Sequence, residues 1–286
     1  MLDVLQFMAA PFAACLVLVG IHAYMGLHVL LRGVIFVDLA LAQIAAFGTV
    51  VAVVSGYDPG TTAAYAFSLG ATTVGAAIFS LTRQRRGTVP QEAIIGITFV
   101  VASAASILLA DRAPEGAEQI KELLAGAILW VSWHKVVSAA LIYAAVGFFH
   151  FLFRRRFMLI SEDPEKAYAS GLKVRLWDFL FYTTFGLIIT LSVEMAGVLM
   201  VFAYLVAPAI IALASSSRWS VRISLAYAIG AIGSALGLYA SYTWDFPSGP
   251  AIVCVLGLFL VVFAGYRVAR RERTWALNNR SSRTRP

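Results

Sequence analysis

The sequence predicts an all-α, polytopic integral membrane protein with about eight to nine transmembrane helices in one domain. Three observations predict it. Of the 286 residues, 60% are hydrophobic and only 13% charged, where a soluble domain has about 25% charged residues. Several windows, such as 136–153, 176–193 and 249–266, hold the roughly 18 mainly apolar residues of a membrane-crossing helix. The polar breaks between such windows also alternate in charge.

In chain order, apolar runs lie near residues 6–30, 34–54, 61–82, 92–110, 134–153, 176–194, 196–214, 220–242 and 249–267. The first run lacks the basic start and small-residue cleavage site of a signal peptide, so it reads as a retained span. The breaks at Arg32, at Arg83, Arg85 and Arg86, at Arg154–Arg156, at Arg218 and Arg222, and at the C-terminus are basic. The intervening breaks carry Asp58, the acidic stretch 111–122, and Asp245. Lys and Arg accumulate on the cytoplasmic side, which puts the N-terminus outside and the C-terminus inside. Two joins are unusual. Residues 120–132 have the length of a re-entrant or interfacial helix, and the turn near Glu194 is very tight.

No polar segment is large enough to bury a core of its own, and no internal repeat is visible. Residues 1–270 therefore form one transmembrane domain and residues 271–286 a basic cytoplasmic tail. The net charge of +7 comes largely from the seven arginines between Arg267 and Pro286. A membrane-flanking position explains such a tail without nucleic acid. Cys15 and Cys254 lie in apolar runs and read as small hydrophobes rather than a disulfide or thiolate site.

The loop 161–174 reads SEDPEKAYASGLKV. Asp163 stands where an N-cap belongs, Pro164 at the first turn, and Gly171 where a helix stops. A cytoplasmic helix of about two turns is predicted, with Glu165, Ala167, Ala169 and Gly171 in register. Small alanines allow close docking on a partner; an ordinary loop helix is the plainer alternative.

Four blocks in order carry a family likeness: GLHVLLRGVIFVDLALAQIAAFG from Gly26, QEAIIGITF from Gln91, DPEKAYASGL from Asp163, and LSVEMAGVLMVFAYLVAPAIIA from Leu191. The chain resembles the metal-ion family of ATP-binding-cassette permeases, the membrane subunits of bacterial zinc, manganese and iron importers. Gly197 and Pro208 stand where that family has its Gly and Pro. The resemblance implies a permease domain that is not itself an enzyme, two copies of it, a separate ATPase subunit and an extracytoplasmic metal-binding protein. It also implies the bacterial cytoplasmic membrane, and a divalent metal ion as transported substrate rather than a resident cofactor. The chain has no GxxxxGK[ST] loop, so ATP would act on the partner. Residues 161–174 then correspond to the coupling helix, with Asp163, Glu165, Ala167, Ala169 and Gly171 meeting the ATPase.

The first block departs from the family's Asp-x-x-x-His, whose spacing puts both ligands on one helix face. Leu39 stands at the Asp position and Gln43 at the His position; the carboxylate sits one residue earlier, at Asp38. Three readings stay open: Asp38 and Gln43 form an oxygen-rich, weaker site; His22 and His28 substitute; or the cargo differs. Each residue has a plainer use. Asp38 can pair with Arg32, Gln43 and His22 can bond across helices, and Glu194 can be solvated surface rather than a gate. His134, beside Trp130 and Trp133, and His150, near Arg154, look interfacial. The stretch 111–122 can attract cations, dock a binding protein or simply be solvated. A permease for another small cargo, such as a metal chelate, stays open, as does a membrane redox subunit. Four scattered histidines offer no obvious axial pair for the latter.

Overall fold

The computed structural model describes residues 2–58, 60–83, 89–110 and 128–283, with side chains described between residues 7 and 270. Arg85, Arg86, the stretch 111–122 and the tail side chains lie outside the described residues. Among the described residues the chain is helical throughout. The helices are α1 (Leu2–Arg32), α2 (Val37–Val54), α3 (Thr62–Thr82), α4 (Gln91–Ala110), α5 (Trp133–Leu152), α6 (Arg154–Glu162), α7 (Pro164–Ala169), α8 (Val174–Ser215), α9 (Trp219–Trp244) and α10 (Ser248–Arg283). Part of the expected 120–132 helix is a single 3₁₀ turn at Ile128–Trp130.

Eight of these helices are long and apolar enough to cross a membrane, against nine runs in the sequence. The difference is α8, which holds two of the runs in 42 residues. At about 1.5 Å per residue a straight helix of that length would reach roughly 60 Å, twice the ~30 Å hydrocarbon core of a bilayer. It is not straight: Gly197, at φ 75° and ψ 160°, breaks it. A side chain at Gly197 would clash in that left-handed conformation.

Side-chain contacts show that the break reverses the chain. Before it, α8 runs antiparallel to α5, with Lys135 on Glu194 at 2.7 Å, Tyr143 on Ser192 at 2.6 Å and His150 on Thr184 at 2.9 Å. After it, α8 returns beside α1, where a Cβ on Gly26 would collide with the Leu205 carbonyl oxygen. Both ends of α8 reach the same end of the bundle. Asp178 meets Arg32 and Arg83 there, and Arg267 donates to the Ala214 carbonyl at 2.8 Å.

The two halves of α8 are the most enclosed part of the molecule, surrounded by α1, α2, α3, α9 and α10. Tyr182, Tyr204, Phe181 and Phe185 fill its core. Without a hydrophobic drive between helices in lipid, close packing of small residues and buried hydroxyl bonds holds such a bundle. Thr49 with Ser68 and Tyr204 with Ser234, each at 2.6 Å, are bonds of that kind.

Candidate functional site

Asp38 and Gln43, both on α2, do not meet. Asp38 is 2% exposed and turned into the protein, whereas Gln43 and Leu39 are half-buried. Positions 38 and 43 are about 140° apart around a helix, while 39 and 43 share a face. The Leu39–Gln43 face is therefore the one left open at the protein surface. Phe36, just before α2, stacks parallel on Phe202 of α8, with centroids 6.5 Å apart.

The start of α2 has no side-chain cap of its own. Glu92, in the first turn of α4, supplies one: its Oε1 accepts the Phe36 backbone N–H at 3.0 Å. Two carboxylates thus gather at one helix N-terminus, where the backbone dipole favours negative charge. Asp38 Oδ1 and Glu92 Oε2 are both buried and without a hydrogen-bond donor. Glu92 lies in the second block of resemblance, yet sequence reasoning did not single it out. Only the acidic position at the start of an apolar run hinted at it.

Arg32 does not pair with Asp38. Its side chain is fully buried and bonds Asp178 Oδ1 at 2.7 Å, while Arg83 bonds Asp178 Oδ2 at 2.7 Å. Burial works against the Arg83 cation, but the Asp178 carboxylate outweighs it and holds the guanidinium above its ordinary range. Arg32 Nε also donates to Ser161 Oγ at 2.9 Å, and its guanidinium lies 3.9 Å over the Phe181 ring. The Ser161 hydroxyl donates to the Phe157 carbonyl at 2.9 Å. It therefore accepts from both Arg32 and His28 Nδ1, the latter at 2.7 Å. Asp178 and Ser161 were not foreseen as an anchor for two arginines, because these partners are distant in sequence.

The other candidates are dispersed. His28 is enclosed by Tyr24, Phe181 and Trp219. His22 is buried, with Nδ1 on the Leu18 carbonyl at 2.8 Å. Each leaves Nε2 without a partner. His150, expected at an interface, is buried against Phe157 with rings stacked 4.2 Å apart. Glu194 is exposed and paired with Lys135. Among the described residues, no three His, Cys, Asp or Glu side chains gather into a metal-holding group.

The short helix expected at 161–174 forms as its residues dictate. In α7, Asp163 caps the Lys166 N–H at 2.9 Å, Pro164 opens the first turn, and Gly171 follows the end at φ 75°. Asp163, Glu165, Ala169 and Gly171 are exposed, whereas Ala167 is buried in the protein's own core. Just before it, Glu162 accepts from Trp219 Nε1 at 2.6 Å, and Ser161 joins the Arg32 cluster. The helix is thus exposed on one side and bolted to α1, α8 and α9 on the other. A shallow basic cleft lined by Arg83, Tyr168, Lys173 and Arg175 lies beside it.

The chain is similar to known proteins. The chain is 28% identical over 255 residues to the manganese transport system membrane protein MntC of Listeria innocua, covering 86% of each chain. It is 28% identical over 251 residues to a "Probable iron transport system membrane protein" of Haemophilus influenzae, covering 85% of this chain and 84% of that one. Its fold matches a chain of PsaBC from Streptococcus pneumoniae, solved with a Fab, at a TM-score of 0.75 and 22% identity, over 92% of this chain and 93% of that one. The family model "ABC 3 transport family" matches residues 4–266, nearly the whole helical bundle. With that match across every transmembrane element, the chain belongs to the ABC 3 transport family, as a multi-pass membrane protein.

Proposed function

We propose that the chain is the permease subunit of an ATP-driven importer for divalent metal ions. It works as a pair of copies in the bacterial cytoplasmic membrane, N-terminus outside and C-terminus inside. A separate ATPase subunit and an extracytoplasmic metal-binding protein complete the machine. The observation that carries this reading is α7, an exposed, well-capped helix anchored to the transmembrane core. The manganese and iron transport names of its relatives support a transition-metal cargo.

Closure of the ATPase pushes α7 through its exposed face, Asp163, Glu165, Ala169 and Gly171. Ala167, buried beneath them, transmits the push to the core. Ser161 and Glu162 carry the displacement on to Arg32 and Asp178 and to Trp219, and so to α1, α3, α8 and α9. Arg32 is joined to α2 by a short turn, so the same push reaches Asp38. The half-buried Leu39–Gln43 face is the surface of α2 available to the second copy, and cargo passes along it.

Co-expression with an ATPase encoded beside this chain tests the coupling. Gly171→Pro, which cannot adopt φ 75°, and Ala169→Trp, which enlarges the docking face, are expected to retain membrane insertion. Both are expected to lower metal-driven uptake while ATP hydrolysis continues. Normal uptake in both variants would remove α7 from the coupling role.

A further inference from the structure

Three consecutive arginines, Arg154, Arg155 and Arg156, stand where α5 gives way to α6, and all three are exposed. Among the described residues no carboxylate pairs with any of them. Asp178 is committed to Arg32 and Arg83, and Glu162 accepts from Trp219. The triplet occupies the first turn of α6, which has no side-chain cap and where the helix dipole disfavours cations. Membrane orientation explains basic charge at this end, but not the way two of the cations are held. The Arg154 guanidinium lies 4.4 Å over the Phe151 ring. That of Arg156 lies 4.7 Å over Trp177 and 5.5 Å over Phe153. Stacking engages the face of a guanidinium and leaves the N–H donors on its edge. Arg154 spends one of these on the Phe151 carbonyl at 3.3 Å.

The neighbouring surface selects the anion. Val137, Leu141, Phe148, Phe151 and Leu152 are exposed and fall within about 100° of one another around α5. This apolar stripe runs roughly 22 Å along the helix and stops two residues before Arg154. The arginines therefore stand at the level where hydrocarbon yields to headgroups. Behind them, α6 buries Phe157 and Ile160 in the core, which holds the triplet against the bundle. We propose that Arg154, Arg155 and Arg156 form a binding site for the phosphate of an anionic phospholipid. The guanidinium forks match phosphate oxygens, and the acyl chains continue along the α5 stripe. A free phosphate meets the same donors but gains nothing from the stripe. A headgroup held there fixes the start of α6 at the membrane surface, while its other end leads through Ser161 and Glu162 into α7.

The full-length chain in detergent is titrated with phosphatidylglycerol, or with phosphatidylcholine of the same acyl chains, and bound lipid is counted by native mass spectrometry. The wild type is expected to prefer phosphatidylglycerol by more than roughly tenfold, and Arg155→Gln, which removes no ring contact, to lower that preference about fivefold, the loss typical of one basic residue at a membrane surface. Replacing all three arginines by Gln is expected to abolish it, and Arg218→Gln, at the same end of the bundle, to leave it unchanged. Replacing all three by Lys is expected to weaken it, because an ammonium lacks the stacked fork. Inorganic phosphate is expected not to displace the lipid. Equal retention of the two lipids by the wild type would overturn the site. So would undiminished preference in both Arg155→Gln and the triple Gln variant, even if an ATPase subunit were then lost, which would assign the arginines to a protein partner. A triple Lys variant equal to the wild type would reduce the site to diffuse charge, and displacement by inorganic phosphate would make it a free-anion site; either result overturns the proposal.

Discussion

Asp178 sets the charge balance at the arginine-rich end, holding Arg32 with one oxygen and Arg83 with the other. Removing one member of a buried ion cluster leaves uncompensated charge, typically at a cost of about 3–5 kcal/mol. Asp178→Ala is therefore expected to lower thermal stability in detergent sharply, read as a fall in unfolding temperature and in folded yield. An unchanged unfolding temperature would show that solvent already balances the arginines. The sequence singled out Asp38, since an acid inside an apolar run has few places to go. It did not reveal what surrounds Asp38, because Glu92 and the Arg32–Asp178 pair come from remote segments that only packing brings near. His28 shows the same limit. Its residue type suggested a ligand, while its environment is a serine hydroxyl and three aromatic rings.

Helices were legible wherever apolar length or capping chemistry spoke. The α7 boundary follows Asp163, Pro164 and Gly171 almost residue by residue. The tight join near Glu194 is real, and its cause is Gly197, three residues on. Side chains are excluded from φ 75° with ψ 160°, and holding one there costs on the order of 1–3 kcal/mol. Gly197→Ala is expected to lower the unfolding temperature of the purified protein and to loosen the Lys135–Glu194 contact. Unaltered stability would indicate that the two halves reverse by some other means. α6, in contrast, was hidden inside a polar stretch, because Arg154–Arg156 read as a cytoplasmic boundary rather than as the start of a second, amphipathic helix.

Across the whole molecule, the contacts divide the described residues into two ends. One gathers Arg32, Arg83, Ser161, Asp178, Trp219 and Arg267; the other carries Lys135 and Glu194. Charge alternation anticipated this division, because loops of like sign must share a side when helices of spanning length separate them. Single cysteines at Ser170, Ser216 and Glu194, in a chain with Cys15 and Cys254 replaced by Ser, make it measurable. A membrane-impermeant thiol reagent applied to intact cells is expected to label position 194 alone, with 170 and 216 reacting only after permeabilisation. Labelling of 170 or 216 on intact cells would invert the orientation. The reversal at Gly197 also has a practical result. Because the chain turns back within a single residue, that end of the bundle offers no slack for a protease to nick or an inserted epitope to occupy. Cleavage or tagging strategies aimed at that corner will disturb the central pair of α8 segments rather than decorate the surface.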